Sequence, residues 1–178
     1  MQGQDCLRCV SGRKKAGRKM LKLLKLLEKD STLTHGQMAA MLGQTEAEVS
    51  AAIKGYEETG VILKYKAVVD WEKTGVEMIT ALIDVNVTPQ RGDGFDRVAE
   101  RIYQFDEVES LYLMSGGYDL SVLITGRTAK DVALFVSEKL APLDCVTGTA
   151  THFLLKRYKD GGTVLTPVTP QQERILMV

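Results

Sequence analysis

Between Met20 and Lys66 the apolar residues recur at helical spacing in three short runs. Met20, Leu23, Leu24 and Leu27 form the first stripe, with Lys22, Lys25, Glu28 and Lys29 on the solvated side, so a helix over about 20–29 is predicted. The second run ends on Met38, Ala39, Met41 and Leu42, and Thr34 with Gln37 three residues on supplies a capping-box start for it. Gly43 and Gln44 break that run. Thr45 with Glu48 opens the third, whose Val49, Ala52, Ile53 and Tyr56 fall on one face. Gly60 is placed to end it in a left-handed conformation. Two helices joined by a tight turn, with a third in front, predict a helix-turn-helix over residues 20–60. A generic three-helix packing unit has the same spacing. Val61–Val69, rich in β-branched residues, reads as a linking strand, and residues 61–75 as a hinge.

Beyond Val76 the period changes. Met78–Val87 reads as a strand, residues 88–94 as a loop, and Phe95, Val98, Ala99 and Ile102 as a helix stripe. Val108–Met114 and Tyr118–Thr125 flank Gly116–Gly117, a hairpin signal. Thr128–Leu140 reads as a helix with Val132, Phe135 and Val136 inward, and Val146–Tyr158 as a last strand. The order βαββαβ over 76–159 predicts a ferredoxin-like unit. The chain is thus expected to be α+β, an N-terminal winged helix-turn-helix followed by that unit.

Composition narrows the functional classes. With 44% hydrophobic residues in 178, the chain has enough apolar content for a packed core. No apolar run is long enough to span a bilayer. Lys22 and Lys25 interrupt the LKLLKLL stretch that superficially resembles a signal peptide, and Glu28 follows it, so a cytoplasmic protein is expected. The net charge is zero, but it is unevenly spread. Residues 1–30 hold nine Lys/Arg against three Asp/Glu, a surplus of six, and residues 31–178 hold fourteen against twenty, a deficit of six. A basic, disordered arm over 1–19 could meet phosphates or simply be solvated. Residues 160–178, with Pro167 and Pro170, are expected to be a loose or partner-docked tail. Cys6 and Cys9 form a lone CxxC without a second pair, and His35 and His152 are distant in sequence, so neither a metal nor a cofactor is expected. Cys145 is expected to be buried or inert.

The stretch LEKDSTLTHGQMAAMLGQTEAEVSAAIKGYEETGVILKYKAVVDWEKTG, followed by VESLYLMSGGYDLSVLITG and LAPLDCVTGTATHFLLK, resembles the leucine-responsive/asparagine-operon (Lrp/AsnC) family of transcription regulators over about residues 20–159. The matching signatures are G-x-Y-D at Gly116, Tyr118 and Asp119 and T-x-T at Thr149 and Thr151. The resemblance implies a partner in double-stranded DNA, an amino-acid effector held by the C-terminal unit (the RAM domain), and homodimers that assemble further into tetramers or octamers. One departure is clear. Family recognition helices place arginines where Ala51, Ala52 and Gly55 stand here, and Lys54 stands beside Glu46, Glu48, Glu57 and Glu58. Acidic residues at a groove oppose the phosphate neutralisation that dominates DNA affinity.

The residues expected at DNA are His35, Gln37, Thr45, Glu46, Ser50 and Lys54. Those expected at a ligand are Met114, Ser115, Gly116, Gly117, Tyr118, Asp119, Thr149 and Thr151. Gly116–Gly117 reads either as a plain two-residue hairpin turn or as a Cβ-free surface whose amides hold a carboxylate, with Asp119 pairing with an ammonium. Thr149 and Thr151 share a strand face, which ordinary β-propensity also explains. Two other functions fit the same plan. One is an amino-acid-binding oligomer with little or no DNA binding. The other, less favoured, is an enzyme similar to sirohaem decarboxylases, which carry histidines in the strand-turn-strand region where LYLMSGGYDL has none. No nucleophile motif, phosphate loop or paired carboxylates are evident, so no catalytic residue is assigned.

Overall fold

A computed structural model describes residues 21–88 and 94–165. Two compact units divide between Val68 and Val69. The basic arm, Cys6, Cys9, Met20, most of the 88–94 loop, Pro167 and Pro170 lie outside the described residues.

The first unit has three helices: α1 over residues 21–29, α2 His35–Leu42 and α3 Glu46–Glu58. Both expected capping boxes form, Thr34 with Gln37 and Thr45 with Glu48, each satisfying two otherwise unpaired amides. The glycines that follow α2 and α3 do what only glycine does cheaply: Gly43 has φ +61° and Gly60 φ +70°. After α3, Val61 N–H reaches Tyr56 C=O and Gly60 N–H reaches Glu57 C=O, the paired closure of a Schellman end. Leu23, Leu27, Met38, Ala39, Val49 and Ile53 are buried together, with Leu26, Ala52 and Tyr56 against them. Two stripe assignments change. Leu26 rather than Leu24 packs on this core, and Met41 is 65% exposed. The expected strand at Val61–Val69 pairs with no other strand among the described residues. A strand needs a neighbour for its amides and carbonyls, and none of the described strands pairs with it. Tyr65 instead donates its hydroxyl to Glu57 on α3.

The second unit is α+β, in the order β1 Ile79–Val87, α4 Asp96–Tyr103, β2 Val108–Leu113, β3 Leu120–Gly126, α5 Ala129–Phe135 and β4 Val146–Phe153. The strands form one antiparallel sheet in the order β2-β3-β1-β4, so β1 and β3 are central and β2 and β4 are edges. Alternation buries Ala81, Ile83, Val85 and Val87 of β1 and Leu120, Val122 and Ile124 of β3 beneath Val98 and Ile102 of α4 and Val132 and Phe135 of α5. Phe105 and Phe135 meet edge to face, and Lys139 lies over both rings while pairing with Glu107. Cys145 is buried, as expected.

Three boundaries differ from the sequence reading. The helix expected to reach Leu140 loosens into a π-type turn over Val136–Leu140. The last strand stops at Phe153, five residues short of Tyr158, where β1 ends as a partner at Ala81. The tail contains a two-stranded hairpin, β5 Lys159–Asp160 with β6 Thr163–Val164, turned by Gly161 and Gly162 at φ +50° and +82°. Gly-Gly between short extended pairs is the signal for such a turn.

Candidate functional site

The ligand-binding expectation falls on the β2–β3 connection. Gly116 and Gly117 do not make a two-residue primed turn. Neither has positive φ, and the loop Ser115–Tyr118 is instead closed by Met114 N–H donating to Asp119 C=O at 2.8 Å. Nothing lies within 4 Å of where a Cβ would stand on either glycine. The loop backbone is therefore open to an approaching molecule. Asp119 is more than a strand-edge acid. Its Oδ2 accepts the Val87 N–H at 2.8 Å, and its own N–H donates to Val85 C=O at 3.1 Å. The carboxylate thus fastens the loop to the end of β1, where a bulge between Asn86 and Val87 shifts the pairing with β4.

Thr149 and Thr151 stand on β4 opposite Val85 and Ile83. Directly paired residues point to the same side, so both threonines lie on the helix-packed face, half-buried. Thr149 and Asp119 therefore meet the same residue, Val85, from opposite sides, and Thr151 lies one repeat further along. Met114 is partly exposed, and Ser115 is exposed. Beside the loop, a groove of about 390 Å³ runs between α4 and β2, walled by Phe95, Tyr103 and Leu111, with Asp96 and Glu109 at its polar margin. It ends at Leu113 and Leu120, the residues flanking the loop, but none of the eight expected ligand residues lines it.

In the first unit, Gln37 and Thr45 are already engaged. Gln37 Oε1 accepts Thr34 N–H, and Thr45 exchanges hydrogen bonds with Glu48. His35 and Ser50 are half-buried, whereas Glu46 and Lys54 are exposed. Lys54 Nζ lies 3.9 Å from Glu58 one turn on, a weak surface pair. Lys22, Lys25 and Lys29 are exposed along α1.

One pair was not foreseen. His152 Nε2 lies 3.1 Å from Asp84 Oδ2 across the β1–β4 ladder. The residues are 68 apart in sequence, so only the strand register brings them together. Among the described residues no three His, Cys, Asp or Glu converge to hold a metal, and no described helix is long and apolar enough to cross a membrane.

A capped helix pair on a tight turn, followed by a separate βαββαβ unit with an open glycine loop, is the build of a transcriptional regulator with an effector unit. Residues 80–164 match the Lrp/AsnC ligand binding domain. The chain is 52% identical over 147 residues, 82% of its length and 89% of the relative's, to the uncharacterized HTH-type transcriptional regulator YugG of Bacillus subtilis. It is 30% identical to the HTH-type transcriptional regulator LrpA of Pyrococcus abyssi, over 77% of this chain and 94% of that one. The same fold occurs in the transcriptional regulator NMB0573 of Neisseria meningitidis, solved as an L-Met complex, with TM-score 0.65, 20% identity and 80% and 91% of the two chains covered. It occurs also in E. coli AsnC, with TM-score 0.64, 15% identity and coverage of 84% and 97%. The chain belongs to the Lrp/AsnC family of transcriptional regulators. Its relatives are named as regulators rather than enzymes.

Proposed function

We propose that this protein is a cytoplasmic regulator that binds double-stranded DNA through α2 and α3 and senses an amino acid in its βαββαβ unit. The observation that carries the reading is the open, Cβ-free loop Ser115–Tyr118, fastened at Asp119 and coinciding with the G-x-Y-D signature. The L-Met complex of NMB0573 supports an amino acid as the effector class. The effector's carboxylate is assigned to loop amides and its ammonium to the Asp119 carboxylate.

In the first unit α2, the Gly43–Gln44 turn and α3 act as a helix-turn-helix, with His35, Ser50 and Lys54 as its DNA-facing side chains. Gln37 and Thr45 serve first as caps. A wing would have to come from residues 61–69, which lack strand pairing among the described residues.

The active form in this reading is a homodimer through residues 76–159, able to assemble further into a tetramer or octamer. Val61, Leu63, Tyr65, Val68 and Val69 are between 39% and 88% exposed, and β2 and β4 each have one side without a strand partner among the described residues. Apolar surface and strand edges of this kind favour cover by a partner.

A second reading, an amino-acid-binding oligomer with weak DNA affinity, rests on α3, whose exposed Glu46, Glu57 and Glu58 outnumber Lys54. The effector claim is tested by a thermal-shift screen against the twenty amino acids, followed by calorimetric titration of any hit. A ligand at 100 times its Kd stabilises the native state by about 2.7 kcal/mol. A screen in which no amino acid raises the melting temperature removes the sensor reading.

A further inference from the structure

The groove of about 390 Å³ between α4 and the edge strand β2 has a chemistry of its own. Helical spacing builds one wall. Asp96, Ala99 and Tyr103 stand at i, i+3 and i+7 on α4, and all three line the groove. By the same spacing Arg97 and Arg101 fall on the other side of the helix, and neither lines it. Strand alternation builds the floor. Leu111 and Leu113 pair with Val122 and Leu120 and share their helix-packed side. Glu109 is placed differently. The β2–β3 register shifts between Val108 and Ser110, and Glu109 sits in that interruption. An extra residue of this kind re-aims its side chain and is over-represented beside functional sites. Because residues 104–107 turn the chain from α4 into β2, Glu109 and Tyr103 share one end of the groove. Asp96, Leu113 and Leu120 mark the other.

The charges of the groove have one sign. Asp96 and Glu109 are its charged lining residues among those described, and neither forms a salt bridge with a described residue. Lys139 is engaged elsewhere, with Glu107 and over the Phe105 and Phe135 rings. The volume falls in the lower part of the range of small-molecule sites, and an apolar floor with a few polar groups is their usual make-up. We propose that this groove binds an apolar primary amine that has no carboxylate. The ammonium meets the Glu109 carboxylate beside the Tyr103 ring, where ion pairing and cation–π attraction add. The hydrocarbon body lies along Ala99 and Leu111 towards Leu113. An α-amino acid fits badly there. Its carboxylate is carried by the same carbon as its ammonium and would be brought against Glu109, a like charge. The site is separate from the effector loop, since none of the eight expected ligand residues lines the groove.

The test is a ligand-observed NMR titration of the full chain with phenethylamine and with phenethyl alcohol, which has the same body and no charge. A ligand of about nine non-hydrogen atoms allows a dissociation constant of about 0.1–1 mM for the amine. The alcohol should bind about tenfold more weakly, because it loses both the ion pair and the attraction to the ring. Glu109→Gln should weaken the amine by about two- to fivefold, and Tyr103→Ala by a similar factor. Ala99→Leu fills the groove without touching a charge and should weaken both ligands. No binding of the amine by the wild-type chain would overturn the proposal and leave Glu109 as an edge-strand charge that only deters pairing. Equal affinity for amine and alcohol would overturn it, as would an amine affinity unmoved by Glu109→Gln and Ala99→Leu. Binding lost in Asp119→Asn but kept in the groove variants would put the amine at the loop and overturn it too. The amino-acid sensor reading is judged by its own screen and does not fall with any of these.

Discussion

Asp119 is expected to matter to the fold before it matters to any effector, and the size of that effect can be worked from its contacts. Asp119→Ala removes the acceptor of the Val87 N–H and leaves a partly buried amide at the end of β1. A hydrogen bond to a charged group contributes about 1.5–3 kcal/mol. Because Asp119 is only half-buried, the lower part of that range applies, about 1.5–2 kcal/mol. With a urea slope of about 2 kcal/mol per molar, the unfolding midpoint should fall by roughly 0.8–1 M. Asp119→Asn keeps an oxygen acceptor but loses the charge, so it should retain about 1 kcal/mol of the bond and fall by about half as much. Amide hydrogen exchange gives the local readout: Val87 N–H should exchange faster in the alanine variant, while Ile83 and Val122 N–H, deep in the sheet, change only with global stability. An alanine variant with the wild-type midpoint and unchanged Val87 exchange would show that the bond contributes nothing. Asp119 would then be available wholly to the effector. The consequence for ligand work is direct: effector affinity in Asp119→Asn must be compared at a temperature where both proteins are fully folded.

Other outcomes follow from single contacts. Thr45→Ala removes the α3 capping box and should cost about 1 kcal/mol, measured by urea unfolding, whereas the same change at exposed Thr32 should cost less. Glu107 is held below the ordinary glutamate value chiefly by its hydrogen bond from Lys139. Its contribution is therefore present above the unfolded-state carboxylate pKa and is lost as pH falls through the lowered folded value, so Glu107→Gln should remove part of the acid-side loss of stability in a melting series from pH 6 to 3. Ile83→Ala, fully buried at the centre of β1, should cost about 2–5 kcal/mol; a loss under 1 kcal/mol would mean the core collapses freely around it.

The sequence made some of this legible and hid the rest for physical reasons. Capping boxes and helix-ending glycines are local chemistry, so Thr34–Gln37, Thr45–Glu48 and Gly60 could be read directly. The two-period alternation marked β1 and β3 because both are central and packed by helices. Val61–Val69 has strand composition, yet pairing is a property of neighbours, and the described residues supply none. The last strand looked longer than it is because Leu154 and Leu155 continue the apolar run past Phe153, where the pairing with Ala81 near the start of β1 stops. Gly116–Gly117 looked like a primed turn because the dipeptide permits positive φ, but the loop is long enough not to need it. Asp119 was visible as an acid in a signature, whereas its bond to Val87 depends on the β1–β3 register. The Asp84–His152 pair could not be seen at all without the β1–β4 register. The Gly161–Gly162 turn was visible in the sequence and was hidden by reading the tail as one piece.

The most direct test of the central claim is fluorescence anisotropy of the full chain on its own promoter DNA, from 50 to 300 mM salt, with and without the amino acid found by the thermal-shift screen. The account predicts binding whose logarithmic constant falls linearly with the logarithm of salt concentration. It further predicts a shift of that constant on adding effector, because an effector that favours one state must change affinity for DNA. Lys54→Ala should lower the salt slope by about one. Affinity no greater than for unrelated DNA, unchanged by effector and by Lys54→Ala, would contradict the claim.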